Sequence, residues 1–322
     1  MKILGTGSSL PKKIVTNDDL AQIMDTSDEW IRTRTGIGTR HLATDETTTS
    51  LSVEAAKQAL ADANVQPEEI DLIIAATVSS DHIIPMLSCE VQAALGADNA
   101  TAFDLNAACS GFLFSLATAE AYLNTGRYKK ALVIGAECLS KIMDWTDRST
   151  CVLFGDGAGA VVVSSEGNGM LSVVQGSDGA SGMALNCFNR PIRHPFVGDA
   201  AKEQLDMDYV HMDGQAVYRF AVKTVPRAIS EALDKAGLTI EDISLFLLHQ
   251  ANIRIIEAVA KRLKQPMEKF PTNLQECGNI SAASVAILLD QVHREGKIKP
   301  GDKIVLAGFG AGLTWGTCVI EW

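Results

Sequence analysis

The chain has 322 residues, 47% hydrophobic and 21% charged, enough apolar content for a large core in one domain or two fused halves. Its 39 acidic against 28 basic residues leave a net charge of −11, which argues against nucleic acid or an anionic membrane as a main partner. No stretch reaches the roughly 18 apolar residues of a membrane span, and MKILGTGSSLPKK holds too short an apolar run for a secretory signal, so the expected location is cytoplasmic.

In chain order, DLIIAATV (71–78) reads as a buried strand and MLSCEVQAALG (86–96) as a helix. TAFDLNAAC (101–109) is a strand leading into a helix over 110–125, where Phe112, Leu113, Leu116 and Ala119 recur at three- and four-residue steps. ALVIGAE and AGAVVVSS, within 131–165, are a closing strand pair. The same order then repeats. ISLFLLHQ (243–250) is a strand, NIRIIEAVAKRL (252–263) a helix, KFPTNLQECGN (269–279) leads into a helix over 281–295, and KIVLAGF with LTWGTCVIEW (303–322) closes. Strands alternating with helices give an α/β class. The repeat predicts an N-terminal half over 1–170 and a C-terminal half over 214–322, joined by an irregular connection over 171–213 rich in Gly, Pro, Asn and Asp.

Seven cysteines, an odd number with no CxxC pair, read as reduced thiols. Cys109 stands apart. It falls at a strand–helix junction among Ala107, Ala108, Ser110 and Gly111. A helix N-terminus favours a thiolate, which predicts a lowered pKa and a nucleophilic sulfur. Its small neighbours leave room for a substrate. His249 ends the strand FLLHQ, and Asn279 precedes the matching helix of the second half. If the halves pack about a pseudo-twofold axis, the three side chains meet. Each also has a plainer reading: an inert core thiol, a structural strand-end histidine, a helix cap. The six histidines show no paired or HExxH spacing, so no metal site is expected. FGDGAGA is not GxGxxG and leads into a strand, which argues against a dinucleotide site.

Several motifs together carry a resemblance. Ala108-Cys109-Ser110-Gly111, His249-Gln250-Ala251-Asn252, Gly278-Asn279 ahead of Ser281-Ala282-Ala283-Ser284, Phe154 to Gly159, Gly308 to Gly316, and Asp25 to Ile37 resemble β-ketoacyl-acyl-carrier-protein synthase III. The likeness runs nearly end to end. It implies a thiolase-like fold, five layers (α-β-α-β-α) from two pseudo-symmetric halves, and a homodimer that initiates bacterial fatty acid synthesis without a cofactor.

The resemblance also implies roles. Cys109 accepts an acyl group from acyl-CoA, and His249 and Asn279 assist decarboxylation of malonyl-acyl carrier protein. Backbone N–H groups of Cys109 and Ala311 form the oxyanion hole. Trp30 and Arg148 sandwich the CoA adenine, with Thr26 and Arg34 near the nucleotide and Asn252 at the pantetheine arm. Arg254, Lys261 and Arg262 on one helix, with Arg219 on the preceding one, dock the acidic carrier protein. Ile84, before Pro85, shapes the acyl pocket across the dimer interface where Phe is common, which hints at primers longer than acetyl. Two positions depart from the family pattern: Ala311 where Gly is commoner, and Ile280 where Thr usually follows the Asn.

Three rival readings compete with this one. A papain-like hydrolase shares the order Cys, His, Asn, but it predicts a secreted, disulfide-bearing chain without a repeat. A relative that initiates polyketide synthesis would share most of the same motifs. A non-catalytic partner subunit would have lost its nucleophile.

Overall fold

The computed structural model describes residues 1–189, 196 and 209–322. The chain begins with β1 (Lys2–Ser9), β2 (Lys13–Thr16), α1 (Asn17–Ala21), α2 (Asp28–Thr35) and β3 (Thr39–Leu42), with β2 and β3 paired as a ribbon. Then follow α3 (Thr48–Ala63), β4 (Leu72–Ala76), α4 (Leu87–Leu95), β5 (Thr101–Leu105), α5 (Gly111–Leu123), β6 (Lys130–Cys138) and β7 (Asp156–Ser164). Next come β8 (Met170–Ser177), the ribbon of β9 (Leu185–Cys187) with β10 (Val210–Met212), α6 (Gly214–Ala236) and β11 (Ile243–Leu248). The chain ends with α7 (Ile253–Leu263), α8 (Leu274–Cys277), α9 (Ser284–Arg294), β12 (Lys303–Gly310) and β13 (Thr314–Glu321).

One sheet has the order β1-β7-β6-β4-β5, the other β11-β12-β13-β8. In each, a parallel pair (β4 with β6, β11 with β12) is extended by two antiparallel strands (β7 then β1, β13 then β8). The duplicated pattern of the sequence is thus a duplicated sheet topology. Strand β5 has no counterpart among the described strands of the second sheet. The matching stretch of the second half, residues 269–273, has no strand structure, and Pro271 has no N–H for a ladder.

The expected irregular connection over 171–213 needs correction at its start. Residues 171–177 form most of β8, which pairs with β13. Ser172, Gln175 and Gly176 blur the apolar alternation of this strand in the sequence. Residues 190–195 and 197–208 of that stretch lie outside the described residues.

Helices α3 and α4 cover the outer face of the first sheet and α6 covers that of the second, with α7 packed on α6; α5 and α9 lie between the sheets and touch both. Five layers result. Helix α5 buries Phe112, Leu113, Leu116, Ala119 and Leu123, as a helix covered on several sides must. Helix α7 sits on the outside and is two-faced. Ile255, Ile256, Val259, Ala260 and Leu263 are buried, while Arg254, Glu257, Lys261 and Arg262 are exposed. No described helix is long and apolar enough to cross a membrane.

The segments leading into α5 and α9 share one backbone path. Ala108 and Ser281 both take left-handed φ values, 45° and 42°, a conformation costing about 1–3 kcal/mol for a non-glycine residue. Each opens a 3₁₀ turn, Ala108–Ser110 and Ser281–Ala283. Each donates its N–H to an asparagine oxygen two residues back, Asn106 Oδ1 at 3.2 Å and Asn279 Oδ1 at 2.9 Å. On this match Cys109 corresponds to Ala282. Each turn is also seated against the opposite sheet. A β-carbon at Gly135 on β6 would lie 2.4 Å from the Ala282 carbonyl oxygen, and one at Gly308 on β12 would lie 3.2 Å from that of Cys109. Glycine admits that approach.

Candidate active site

Cys109 is buried, with 7% of its surface exposed. Its turn is pressed against the end of β12, where a β-carbon at Gly310 would come within 2.9 Å of Sγ. Backbone N–H groups of Cys109 and Ala311 and the Ser281 hydroxyl all act on the sulfur and favour its thiolate. Burial outweighs them. Together with the charge of Glu137, it pushes the thiol up to about 11. The expectation of a lowered pKa is therefore corrected. Burial thus keeps Cys109 a thiol at neutral pH, despite the N–H and hydroxyl groups around its sulfur.

His249 follows the last residue of β11 and donates its N–H to the Ala307 carbonyl of β12 at 2.8 Å. Its Nδ1 lies 2.6 Å from Ser284 Oγ, at the start of α9. The same hydroxyl oxygen accepts the Gln250 N–H at 3.5 Å. A serine hydroxyl has one proton and two lone pairs, so Ser284 pairs with Nδ1 and accepts from Gln250 at once. Phe309 meets the ring edge-on, with centroids 5.1 Å apart. Burial lowers the imidazole to about 3, so the ring is neutral.

Asn279 is fixed by its backbone. Its N–H donates to the Leu153 carbonyl and its carbonyl accepts from Gly155 N–H, both at 2.9 Å. With Oδ1 committed to Ser281 N–H, its NH2 is oriented. Neither that NH2 nor His249 Nε2 makes a hydrogen bond within the described protein, and neither is sealed from solvent. The three residues share neighbours. Strand β12 touches His249 through Ala307 and Cys109 through Gly308 and Gly310, while the segment 279–284 touches all three.

Trp30 is half-buried in α2. The Arg34 guanidinium carbon lies 4.6 Å and that of Arg148 5.1 Å from its ring centroid. Arg148 also donates to the Asp25 carbonyl. Thr26 Oγ1 is buried without a partner among the described residues. Asn252 caps α7 through Arg254 N–H at 2.9 Å and donates to the Arg34 carbonyl at 3.0 Å, tying α7 to α2. Arg219, Arg254, Lys261 and Arg262 are exposed, and Arg254 reaches the Thr33 carbonyl at 2.8 Å. Ile84 is 80% exposed and belongs to none of the hydrophobic clusters formed by the described residues.

Comparison with known proteins decides the family. Models of 3-oxoacyl-[acyl-carrier-protein] synthase III match residues 103–179, and of its C-terminal part residues 233–322. The β-ketoacyl-[acyl-carrier-protein] synthase III of Caldanaerobacter subterraneus subsp. tengcongensis is 52% identical over 99% of this chain and 97% of its own. That of Clostridium acetobutylicum is 49% identical over 100% of this chain and 98% of its own. The crystal structure of the Aquifex aeolicus enzyme superposes with a TM-score of 0.93 at 45% identity, covering 100% of this chain and 99% of that one.

The chain belongs to the β-ketoacyl-[acyl-carrier-protein] synthase III family. It has the thiolase-like fold of condensing enzymes and is an acyltransferase of fatty acid biosynthesis.

Three residues around this synthase III site were given no role from the sequence: Ser281 and Ser284, named only as part of a motif, and Glu137, not named at all. The signal for the serines was present in SAAS, whose two hydroxyls stand three residues apart ahead of a helix. Glu137 carried none, because ALVIGAE reads only as a buried strand.

Proposed function

We propose that this synthase III condenses an acyl-CoA primer with malonyl-acyl carrier protein, giving 3-ketoacyl-acyl carrier protein, CoA and CO2. Cys109 attacks the acyl-CoA thioester and holds the acyl group as CoA leaves. The malonyl thioester then loses CO2, and the electron pair of the broken C–C bond moves onto its thioester oxygen. His249 Nε2–H and the Asn279 NH2 donate to that oxygen. The carbanion attacks the Cys109 thioester, whose oxygen is held by the N–H groups of Cys109 and Ala311; collapse breaks the C–S bond, and the Cys109 sulfur leaves with its bonding pair and is reprotonated. Preorganised donors of this kind are worth about 10²–10³ in rate each.

The observation that carries this reading is the pair of unused donors. His249 and Asn279 have their other polar atoms engaged, while Nε2 and the NH2 have no partner among the described residues and keep contact with solvent. Trp30, Arg148, Arg34 and Thr26 receive the CoA nucleotide, and Asn252 meets the pantetheine arm. The exposed Arg219, Arg254, Lys261 and Arg262 dock the carrier. No cofactor is required. The enzyme acts in the cytoplasm as a homodimer, to which the exposed Ile84 contributes.

Mass spectrometry after incubation with acetyl-CoA tests the reading. An acetyl adduct mapped to Cys109 is expected. An unmodified Cys109 with isobutyryl-CoA as well as acetyl-CoA would refute it.

A further inference from the structure

Arg40, on β3, is the largest fully buried side chain among the described residues. All three of its hydrogen bonds go to neutral oxygens. Nη1 donates to Asn17 Oδ1 at 2.9 Å and to the Val15 carbonyl at 3.3 Å, and Nη2 donates to the Val152 carbonyl at 2.7 Å. Nε is buried with no partner among the described residues. Burial lowers the guanidinium to about 10, which leaves it charged at neutral pH. A buried cation whose contacts are all neutral is costly. Stability alone does not account for it, since an apolar side chain of similar volume would avoid that cost.

One arm of Arg40 reaches the backbone that holds Asn279. Val152 precedes Leu153, whose carbonyl accepts the Asn279 N–H, and Gly155 N–H returns to the Asn279 carbonyl, both at 2.9 Å. The stem of Arg40 lies against the same pairing: a β-carbon at Gly155 or at Gly278 would come 3.3 Å from Arg40 Cβ. Beside it, Thr39 Oγ1 donates to the Glu276 carbonyl and Gly38 N–H to that of Gln275, each at 2.9 Å. These bonds tie β3 to α8 just ahead of Gly278.

The other arm reaches α2. Asn17, 1% exposed, accepts from Arg40 and donates to Asp28 Oδ1 at 2.8 Å and to the Ile37 carbonyl at 2.9 Å. Asp28 opens α2 and Ile37 follows its C-cap, Gly36. This helix carries Trp30 and Arg34.

We propose that Arg40 is a positioning residue for both half-reactions: through the Val152 carbonyl it fixes the place of the Asn279 NH2, and through Asn17 it fixes the pose of the helix that receives the CoA nucleotide. The inference rests on Asn279 donating to the malonyl thioester and on Trp30 meeting CoA. A guanidinium suits the task because two separate Nη nitrogens, held in one plane, serve acceptors from different segments. Arg40 touches no reacting atom and gains or loses no proton. It acts on geometry alone, where a shift of about 1 Å can cost about 10²-fold in rate.

A double-mutant cycle separates positioning from general support of the fold. CO2 release from malonyl-carrier protein is measured for Arg40→Lys, Asn279→Ala and the pair. Rates are expressed per Cys109 that takes an acetyl group from acetyl-CoA, so unfolded enzyme does not count. Arg40→Lys should lower the rate about 10-fold and Asn279→Ala about 10²-fold. The pair should match Asn279→Ala alone, because a donor that is gone cannot be misplaced. Arg40→Lys at the wild-type rate, or losses that multiply in the pair, overturns the inference. Asn279→Ala at the wild-type rate instead refutes the donor reading, and the first arm with it. Asn17→Ala cuts only the arm toward α2. It should raise the KM for acetyl-CoA roughly two- to tenfold with CO2 release unchanged. Should Arg40→Lys not fold, Asn17→Ala decides: that split supports the inference, and an unchanged KM or an equal loss in both half-reactions overturns it.

Discussion

Ser284 Oγ stands 2.6 Å from His249 Nδ1 and ties the imidazole to the start of α9; the proposed decarboxylation role needs Ser284 to donate, so that Nε2 carries the ring hydrogen. Ser284→Ala frees the tautomer and leaves a buried ring nitrogen unpaired, at a cost of about 1–3 kcal/mol. Decarboxylation of malonyl-carrier protein should fall at least ~10-fold, while acetylation of Cys109 is spared. Separate assays of the two half-reactions check this.

Gly310→Ala places a methyl group 2.6 Å from Cys109 Cβ and 2.9 Å from Sγ. The strand and the turn must separate, which costs about 1–3 kcal/mol. A lower Tm and slower alkylation of Cys109 by iodoacetamide are expected together. Alkylation at the wild-type rate would contradict the contact.

Arg148 faces the Trp30 ring from 5.1 Å. Arg148→Ala removes a contact worth about 0.5–1 kcal/mol at an exposed site. The KM for acetyl-CoA should rise roughly two- to fivefold, with kcat for condensation little changed. Steady-state kinetics at saturating carrier protein reads the split.

The exposed face of α7 bears Arg254, Lys261 and Arg262 on a chain of net charge −11. Lys261→Glu should lower kcat/KM for malonyl-carrier protein, with the deficit shrinking as salt is raised. Acylation by acetyl-CoA should be unaffected. Equal loss in both half-reactions would remove α7 from the docking surface.

Glu137 also predicts a pH dependence of stability. Its folded-state pKa, about 7, lies above the value of 4.5 for a free carboxyl. The folded protein therefore holds a proton that the unfolded chain releases, and stability falls as pH rises from 4.5 through 7. Wild-type Tm should drop between pH 5 and pH 8 by more than that of Glu137→Gln. Parallel melting curves for the two proteins would contradict this.

The sequence carried the fold where strands were uninterrupted apolar runs. DLIIAATV and ISLFLLHQ became β4 and β11, and the NIRIIEAVAKRL helix became α7. It hid β1, whose KILGTGSS is broken by glycines. The cause is close packing: a β-carbon at Gly5 would lie 2.3 Å from Ala63 N in α3. The strand gives up its side chains so that a helix can approach, and with them the alternation a reader looks for. Cys109, His249 and Asn279 were found because each ends or begins an element. Glu137 was hidden because its partners, Thr77, Val78, Ser79 and Ser281, come from distant parts of the chain. The Cys109 pKa was misjudged because its burial depends on Gly308 and Gly310, some 200 positions away.

The twin turns at Ala108 and Ser281 carry a consequence for ancestry. A single ancestral half, paired with its own copy, would have presented two equivalent pockets across a true dyad. In the fused chain the two turns differ: one carries Cys109 behind Asn106, the other Ala282 behind Asn279. Each turn is received by a glycine of the opposite sheet, so the two halves pack on each other at both turns. A chain severed in the loop between β7 and β8 would regain its chemistry only by complementation, when both fragments are made together.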